Sequence, residues 1–266
     1  MFNEIWERSC ENDQMKKSIK YSGRTFTGLV RRNNQDNMII DGECLEKEHG
    51  DMRIEGDMSL CGHRGLLKRN NPFRRNVIAV FDGMGGEQCG ELASYIAASQ
   101  FAKPCNRINE WDYLSQYIRN ADNDINKMSS DKKIRMGTTV AGILIDENKL
   151  IAFNVGDSRI YSYYDGRLER ISNDHVIYNN GRRYLSQCLG LNEKDFEIAP
   201  ETREIRYKQG MRYLICTDGL TDMVSEEDIL EVMEMEMSLE TTADTFEHMV
   251  MKRGAVDNTT MIICEV

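Results

Sequence analysis

The run VIAVF at residues 77–81 restricts the fold more than any other feature of the sequence. It is apolar at every position and rich in β-branched residues, which predicts a strand that is covered on both faces. A tight turn at 164–167 predicts a hairpin. Further strand-like segments, separated by turn-forming residues, lie at 24–30, 37–41, 138–145, 150–156, 159–164, 212–217 and 259–266. We therefore expect packed sheets built from short strands.

Helical periodicity occurs in two pairs of segments, 87–102 with 110–128 and 226–236 with 241–252. Ser225 and the acidic residues after it predict a capped start for the third of these helices. In the first helix, one face is expected to carry Leu92, Tyr95, Ile96 and Ser99. In the fourth, one stripe carries Ala243, Phe246, Met249 and Val250. The expected fold is α+β, a central β-sandwich of two antiparallel sheets flanked by helix pairs, in four α-β-β-α layers.

Domain organisation follows from length and from the absence of a linker composition. The chain has 266 residues and only three prolines, and its glycines sit at turn-like sites. We expect a short N-terminal extension, residues 1–21, and one domain over 22–266. Residues 42–76 are polar and mixed in charge, which predicts an inserted loop. A mobile surface loop is favoured there over a docking element.

The charge balance excludes some classes of partner. Thirty-four basic and 44 acidic residues give a formal net charge of −10, which argues against a nucleic-acid or membrane-surface binder. No apolar run reaches the length of a signal peptide core or a membrane span. The eight cysteines are scattered without a C-x-x-C pair, so we expect a reducing, cytoplasmic location.

Aspartates at the ends of predicted strands carry the chemistry. Asp82 and Asp218 each follow an apolar strand and precede glycine, Asp157 follows a third strand, and Asp36 and Asp257 each precede one. One such aspartate is usually only a turn residue, but strand ends can converge, and clustered carboxylates repel one another unless cations bind among them. Oxygen ligands favour Mg²⁺ or Mn²⁺, and an arginine beside them suits phosphate chemistry.

The order of the motifs resembles that of the protein phosphatase 2C family, in its bacterial branch, over about residues 22–266. The residues that carry the resemblance are RRNNQD (31–36), VFDGMGG (80–86), GTT (137–139), VGDSR (155–159), CTDGLTD (216–222) and DNTT (257–260). The resemblance implies a metal-dependent serine/threonine protein phosphatase in which a hydroxide bridging two Mn²⁺ or Mg²⁺ ions attacks phosphorus. Phosphorylated proteins would be its partners, among them a Ser/Thr kinase of the same cell.

The resemblance also implies residue roles. Asp82 would bridge the two metals and act in catalysis, with the Gly83 carbonyl completing the second site. Asp218 and Asp257 would hold the first metal, Asp36 would support the second, and Arg31 would bind the substrate phosphate. A third, weaker cation could lie between Asp157 and Asp218.

Three departures from the family pattern affect this expectation. Gln35 stands where the family usually has glutamate, which removes one charge near the second metal. Met84 stands where the eukaryotic branch has a histidine that protonates the leaving group, so water must supply that proton here. The flap between Asp174 and Gly190 is short. Two alternatives stay open: a pseudophosphatase that only binds phosphoproteins, and an unrelated hydrolase or nuclease with a carboxylate–metal site.

Overall fold

The structure, a computed structural model, describes residues 18–60, 76–85, 89–103, 110–146, 149–190 and 198–266. Two six-stranded antiparallel sheets form its centre. In spatial order, the first sheet contains β11 (Arg167–Arg170), β10 (Arg159–Tyr164), β15 (Arg212–Cys216), β16 (Thr259–Glu265), β1 (Ser18–Phe26) and β4 (Met52–Ser59). The second contains β14 (Glu201–Ile205), β9 (Leu150–Val155), β8 (Val140–Ile145), β5 (Asn76–Phe81), β2 (Asn37–Ile40) and β3 (Glu43–Cys44).

Helices cover the outer face of each sheet. Helices α1 (Gly90–Phe101) and α2 (Glu110–Lys132) pack on the second sheet, and the short α3 (Asp218–Thr221), α4 (Glu226–Glu234) and α5 (Leu239–Lys252) lie on the first. Two small ribbons complete the described chain: β6 (Gly83–Gly85) with β7 (Met136–Thr138), and β12 (Val176–Asn179) with β13 (Arg182–Leu185). The expected four-layer α-β-β-α sandwich is confirmed.

The five residues that follow Asn76 in β5 show why the run VIAVF is apolar at every position. Val77, Ala79 and Phe81 pack into the cluster beneath α1 and α2, whereas Ile78 and Val80 enter the cluster between the two sheets. All five side chains are at most 1% exposed. A strand with both faces covered has no position where a polar side chain could reach water, so the alternation typical of half-exposed strands is missing.

The predicted apolar face of α1 is wrong. Its buried face consists of small residues and one aromatic ring, Ala93, Ala97, Ala98 and Phe101, whereas Leu92 and Ile96 are only partly buried. Small side chains let the helix axis lie close to the sheet, and the larger residues fill the margin of the same cluster. In α5 the predicted stripe is confirmed for Ala243, Phe246 and Val250, which are buried, with Met249 partly buried beside them.

The description of residues 42–76 as a loop is wrong in part. Residues 61–75 lie outside the described residues, but Met52–Ser59 form β4, which pairs with β1 from Ser18 to Thr25. Strand β4 is an edge strand in which Met52, Ile54 and Met58 alternate with charged residues, so the pattern of a half-exposed strand was present within the polar segment. Because β1 begins at Ser18, the boundary expected at residue 22 falls inside a strand.

Three hairpin turns combine a left-handed residue with a left-handed glycine. The predicted turn at Asp165–Gly166, with φ of 51° and 71°, joins β10 to β11. The same geometry at Asp41–Gly42 joins β2 to β3, and at Asn180–Gly181 it joins β12 to β13. Asp-Gly and Asn-Gly suit this turn because both positions need positive φ. The short flap is therefore a β-hairpin.

Candidate active site

The five candidate aspartates lie at strand ends and form one electrostatic cluster. The charges of Asp218 and Asp257 act on Asp36, and those of Asp36, Asp157 and Asp218 act on Asp82. Asp82 and Asp218 share a hydrogen bond between their side chains. Strand ends from both sheets thus place these carboxylates at one edge of the sandwich.

Burial is the main cause of the raised pKa values in this cluster. Removal from water raises the pKa of Asp36 to about 7, and the charges of Asp218 and Asp257 add to the effect. Burial and the neighbouring charge of Asp157 raise the pKa of Asp218 to about 6, and burial also raises the pKa of Asp82 well above its usual range. Ionising all three side chains is therefore unfavourable unless positive charge lies among them.

The threonines of the GTT motif hold Asp82 in place. The Thr139 backbone N–H and the Thr138 hydroxyl both donate to the Asp82 carbonyl, each at 2.9 Å. The Thr139 hydroxyl oxygen accepts from the Asp82 N–H at 3.1 Å and lies 2.7 Å from the Ser158 hydroxyl. Both threonines are 0% exposed. The backbone of Asp82 is therefore held by hydrogen bonds to buried groups, with which water does not compete.

Asp36 is held from the opposite sheet. The Thr217 hydroxyl donates to Asp36 Oδ2 at 3.0 Å, and a hydrogen bond with Thr260 also lowers the pKa of Asp36, against the stronger effect of burial. Thr217 itself accepts from the Thr260 N–H at 2.9 Å. Residues inside the CTDG and DNTT motifs thus orient an aspartate more than 180 positions away in sequence.

Asn258 fixes the loop that carries Arg31. Its side chain donates to the carbonyls of Thr27 and Asn33, both at 3.0 Å, and accepts from the Gln35 N–H at 2.9 Å. Arg31 Nη2 donates to Asp257 Oδ2 at 2.6 Å. This bond and the charges of Asp82 and Asp218 raise the pKa of Arg31, and its side chain is 52% exposed. A guanidinium thus stands at the solvent side of the aspartate cluster.

Gly83 and Gln35 pack against the start of α1. A Cβ at Gly83 would lie 2.2 Å from the Gly90 carbonyl oxygen and 2.3 Å from that of Gln35, so only glycine fits. Gln35 Nε2 donates to Glu91 Oε2 at 3.2 Å, and Glu91 is 8% exposed. The amide at position 35 therefore pairs with a buried carboxylate that a glutamate there would repel.

Asp157 is paired with the flap hairpin. Arg183 Nη2 lies 2.8 Å from Asp157 Oδ2 and 3.4 Å from Asp174 Oδ2, and Arg159 binds both carboxylate oxygens of Asp174. Burial raises the pKa of Asp157, and the positive charge of Arg183 partly offsets this effect. Among the expected third-cation ligands, Asp157 therefore contacts an arginine, whereas Asp218 contacts Asp82.

The candidate ligands are carboxylates and one carbonyl oxygen, a donor set that suits Mg²⁺ or Mn²⁺. Within the residues that the structure describes, no three His, Cys, Asp or Glu side chains are arranged as a ready metal-ligand group. Two of the five aspartates are bonded to arginines, Asp257 to Arg31 and Asp157 to Arg183. The donor chemistry fits a divalent cation, and these two side chains would have to turn to contribute to it.

Sequence reasoning left several supporting residues without a role. Thr138, Thr139, Thr217 and Asn258 all lie inside the quoted motifs, so their position was a usable signal. The pairing of Arg183 with Asp157 had no such signal, because it joins a hairpin to a distant strand end.

No helix of the described ranges is both long enough and apolar enough to cross a membrane.

The sequence matches the profile of the family described as Protein phosphatase 2C over residues 68–253. It is 29% identical to the serine/threonine protein phosphatase PstP of Mycobacterium tuberculosis over 266 residues, which cover 93% of this chain and 45% of PstP. The chain thus spans less than half the length of that relative. It is 26% identical to the serine/threonine phosphatase stp of Listeria welshimeri over 267 residues, covering 91% of this chain and 94% of that protein.

A solved structure agrees with these matches. The structure of the catalytic domain of serine threonine protein phosphatase PstP in complex with two manganese ions superposes with a TM-score of 0.71 at 26% identity. The match covers 93% of this chain and 98% of that chain. Because the family profile spans well over half of the sequence, the chain belongs to the protein phosphatase 2C family.

Proposed function

We propose that this protein is a metal-dependent phosphatase that hydrolyses phosphoserine and phosphothreonine in proteins. The observation that carries the proposal is the cluster of buried aspartates with Arg31 at its solvent side. Burial and mutual repulsion raise the pKa of Asp36, Asp82 and Asp218, so cations that enter the cluster would be strongly favoured. The relatives named as serine/threonine phosphatases, and the PstP structure with two manganese ions, support the same reading.

The candidate site residues would form two sets of ligands, one for each of two Mn²⁺ or Mg²⁺ ions. Asp82 would contact both ions, and the Gly83 carbonyl would complete the second site. Asp218 and Asp257 would hold the first ion, and Asp36 would support the second. When bound, the ions would supply a hydroxide as the attacking group and offset part of the phosphate charge.

Arg31 is suited to hold the phosphate. Its guanidinium is half exposed and is bonded to Asp257 at 2.6 Å. If Asp257 turned towards a cation, the guanidinium of Arg31 would be free to donate two parallel hydrogen bonds to phosphate oxygens. Orientation of the phosphate by a planar fork also aligns the bond that breaks. The same exchange of partners would couple metal binding to substrate binding.

Departure of the alkoxide has to use water as the proton source. Met84, next to Gly83 in β6, has no ionisable group.

A third and weaker cation would need Asp157 to leave Arg183 and share the ion with Asp218. Partners are proposed to be phosphorylated proteins, including a Ser/Thr kinase of the same cell, and the location is proposed to be cytoplasmic on the basis of the scattered cysteines.

Hydrolysis of a phosphothreonine peptide in the presence of Mn²⁺ tests the proposal. Asp82→Asn should lower kcat/KM by more than about 100-fold, because loss of a metal ligand costs more than loss of a group that only orients one. The matched control is Asp131→Asn, which changes an exposed aspartate at the end of α2 and should leave turnover unchanged. Metal-dependent turnover that survives Asp82→Asn would refute the site. Tight Mn²⁺ binding without any turnover would favour a pseudophosphatase.

A further inference from the structure

A groove of about 1000 Å³ opens along the loop that carries Arg31. Five parts of the chain line it: Thr27, residues 32–34, the β3–β4 connection at 47–50, the start of α1, and the end of α2 with Ile134 after it. Arg32, the residue after the candidate phosphate ligand, is among the lining residues. Its volume is at the upper end of the range for ligand pockets, which is enough for several residues of an extended peptide.

The β3–β4 wall of the groove is anchored on both sides. His49 Nε2 is 2.9 Å from the Asp36 carbonyl oxygen, and Asp51 Oδ1 accepts from the Thr27 N–H at 2.9 Å. The side chain of Asn37 bonds to both the N–H and the carbonyl of Leu45, at 3.2 and 3.3 Å. Binding to this wall would therefore cost little ordering entropy, and the wall stands at a fixed position beside Asp36.

The charges that line the groove favour an acidic ligand. Arg32, Lys47 and Lys132 line it together with Glu48 and Glu91. Glu48 pairs with Lys47 at 2.8 Å, which leaves Arg32 and Lys132 against Glu91, whose charge is not cancelled by the neutral amide of Gln35. Arg32 and Lys132 are exposed. With three basic and two acidic side chains, the lining carries one net positive charge, on a chain whose formal net charge is −10.

Resting on the proposed function, we propose that this groove binds the polypeptide that flanks the phosphorylated residue and selects acidic side chains there. Arg31 holds the phosphate, and Arg32 and Lys132 then pair with aspartate or glutamate close to it in the substrate. The β3–β4 connection, which lies in the segment expected to be a mobile loop, thus contributes to substrate choice.

Four phosphothreonine peptides of equal length test the proposal: one with neutral flanks, one with aspartates before the phosphoresidue, one with aspartates after it, and one with lysines on both sides. We expect the wild-type protein with Mn²⁺ to favour one of the acidic peptides over the neutral peptide by about 3- to 10-fold in kcat/KM, as two exposed ion pairs allow. Lys132→Glu should abolish or reverse this preference, and Lys132→Gln should reduce it. The quantity compared is the ratio between peptides, because a general loss of folded protein lowers both rates equally.

Lys133→Glu is the matched control, since it makes the same charge change at the next, equally exposed residue, which does not line the groove. It should leave the ratio within about 2-fold of wild type. Equal ratios for Lys132→Glu and Lys133→Glu, or a wild-type preference for neutral or basic peptides, would overturn the groove proposal. If no peptide is hydrolysed, the proposed function fails, but the fluorescence anisotropy of the same labelled peptides still tests the groove. Tighter binding of an acidic peptide that is lost in Lys132→Glu supports the groove proposal. Equal binding of all the peptides overturns it.

Discussion

Replacement of Asp36 by asparagine removes a carboxyl group that is 2% exposed and that burial keeps at a pKa of about 7, against an ordinary value of 3.8. A carboxyl group with a raised folded-state pKa holds its proton more tightly in the folded protein. The stability that this provides is fully present below the unfolded pKa near 4 and is lost as the pH rises through 7. Metal-free wild-type protein should therefore be less stable at pH 8 than at pH 5.

The size of the effect follows from the pKa difference of about 3. At about 1.4 kcal/mol per pKa unit, the penalty is about 4 kcal/mol at pH 8 and below about 2 kcal/mol at pH 5. Asparagine carries no such penalty, but it weakens the hydrogen bond from Thr217 by about 1 kcal/mol. The net expectation for Asp36→Asn is a gain of about 3 kcal/mol at pH 8 and a change within about 1 kcal/mol at pH 5.

Urea unfolding in EDTA at both pH values measures this difference. Asp131→Asn, an exposed aspartate in α2, serves as the control and should shift stability by less than about 0.5 kcal/mol at either pH. Addition of Mn²⁺ should stabilise the wild type more than Asp36→Asn, because the variant lacks one carboxylate near the ions. A variant that is no more stable than wild type at pH 8, or that gains equally at pH 5, would refute the assignment of Asp36 as a strained, buried acid.

Two further substitutions test the supports of the site. Arg183→Gln removes the partner of Asp157, whose side chain is 9% exposed. It should lower the free energy of unfolding by about 1–2 kcal/mol in EDTA but by less in Mn²⁺, where a cation can replace the guanidinium. An equal loss in Arg182→Gln, in the same hairpin, would contradict this. Thr139→Val keeps the shape but leaves the buried Asp82 N–H without its acceptor, so urea unfolding should show a loss of about 1–3 kcal/mol. Thr245→Val in α5, at a half-buried position, is its control, and an equally large loss there would remove the special role of Thr139.

Local sequence patterns predicted the layers and the placement of the aspartates well. Strands such as β5 are recognisable because burial of both faces requires apolar residues at every position. The aspartates that end these strands are visible for the same reason, since a charged residue marks where the strand leaves the core. The turn at Asp165–Gly166 was predictable because its left-handed backbone needs particular residue types.

Features that depend on pairing between distant segments were not predictable in the same way. The alternation in β4 marks a strand, but it does not identify the partner of the charged face, where Glu55 contacts the buried Arg24 at 2.9 Å. The inward face of α1 depends on how closely the helix approaches the sheet, and the helical repeat alone does not contain that distance.

The sequence by itself identified the candidate site residues: Asp36, Asp82, Asp157, Asp218 and Asp257, with Arg31 ahead of them. Their chemical type and their place next to apolar strands are local properties that can be read residue by residue. Only the tertiary structure decided their partners. It pairs Asp82 with Asp218 and Asp157 with Arg183, and it forms a groove lined by Arg32, the neighbour of Arg31 in sequence. The physical reason is that these contacts depend on distances between chain segments that only the packed sheets establish.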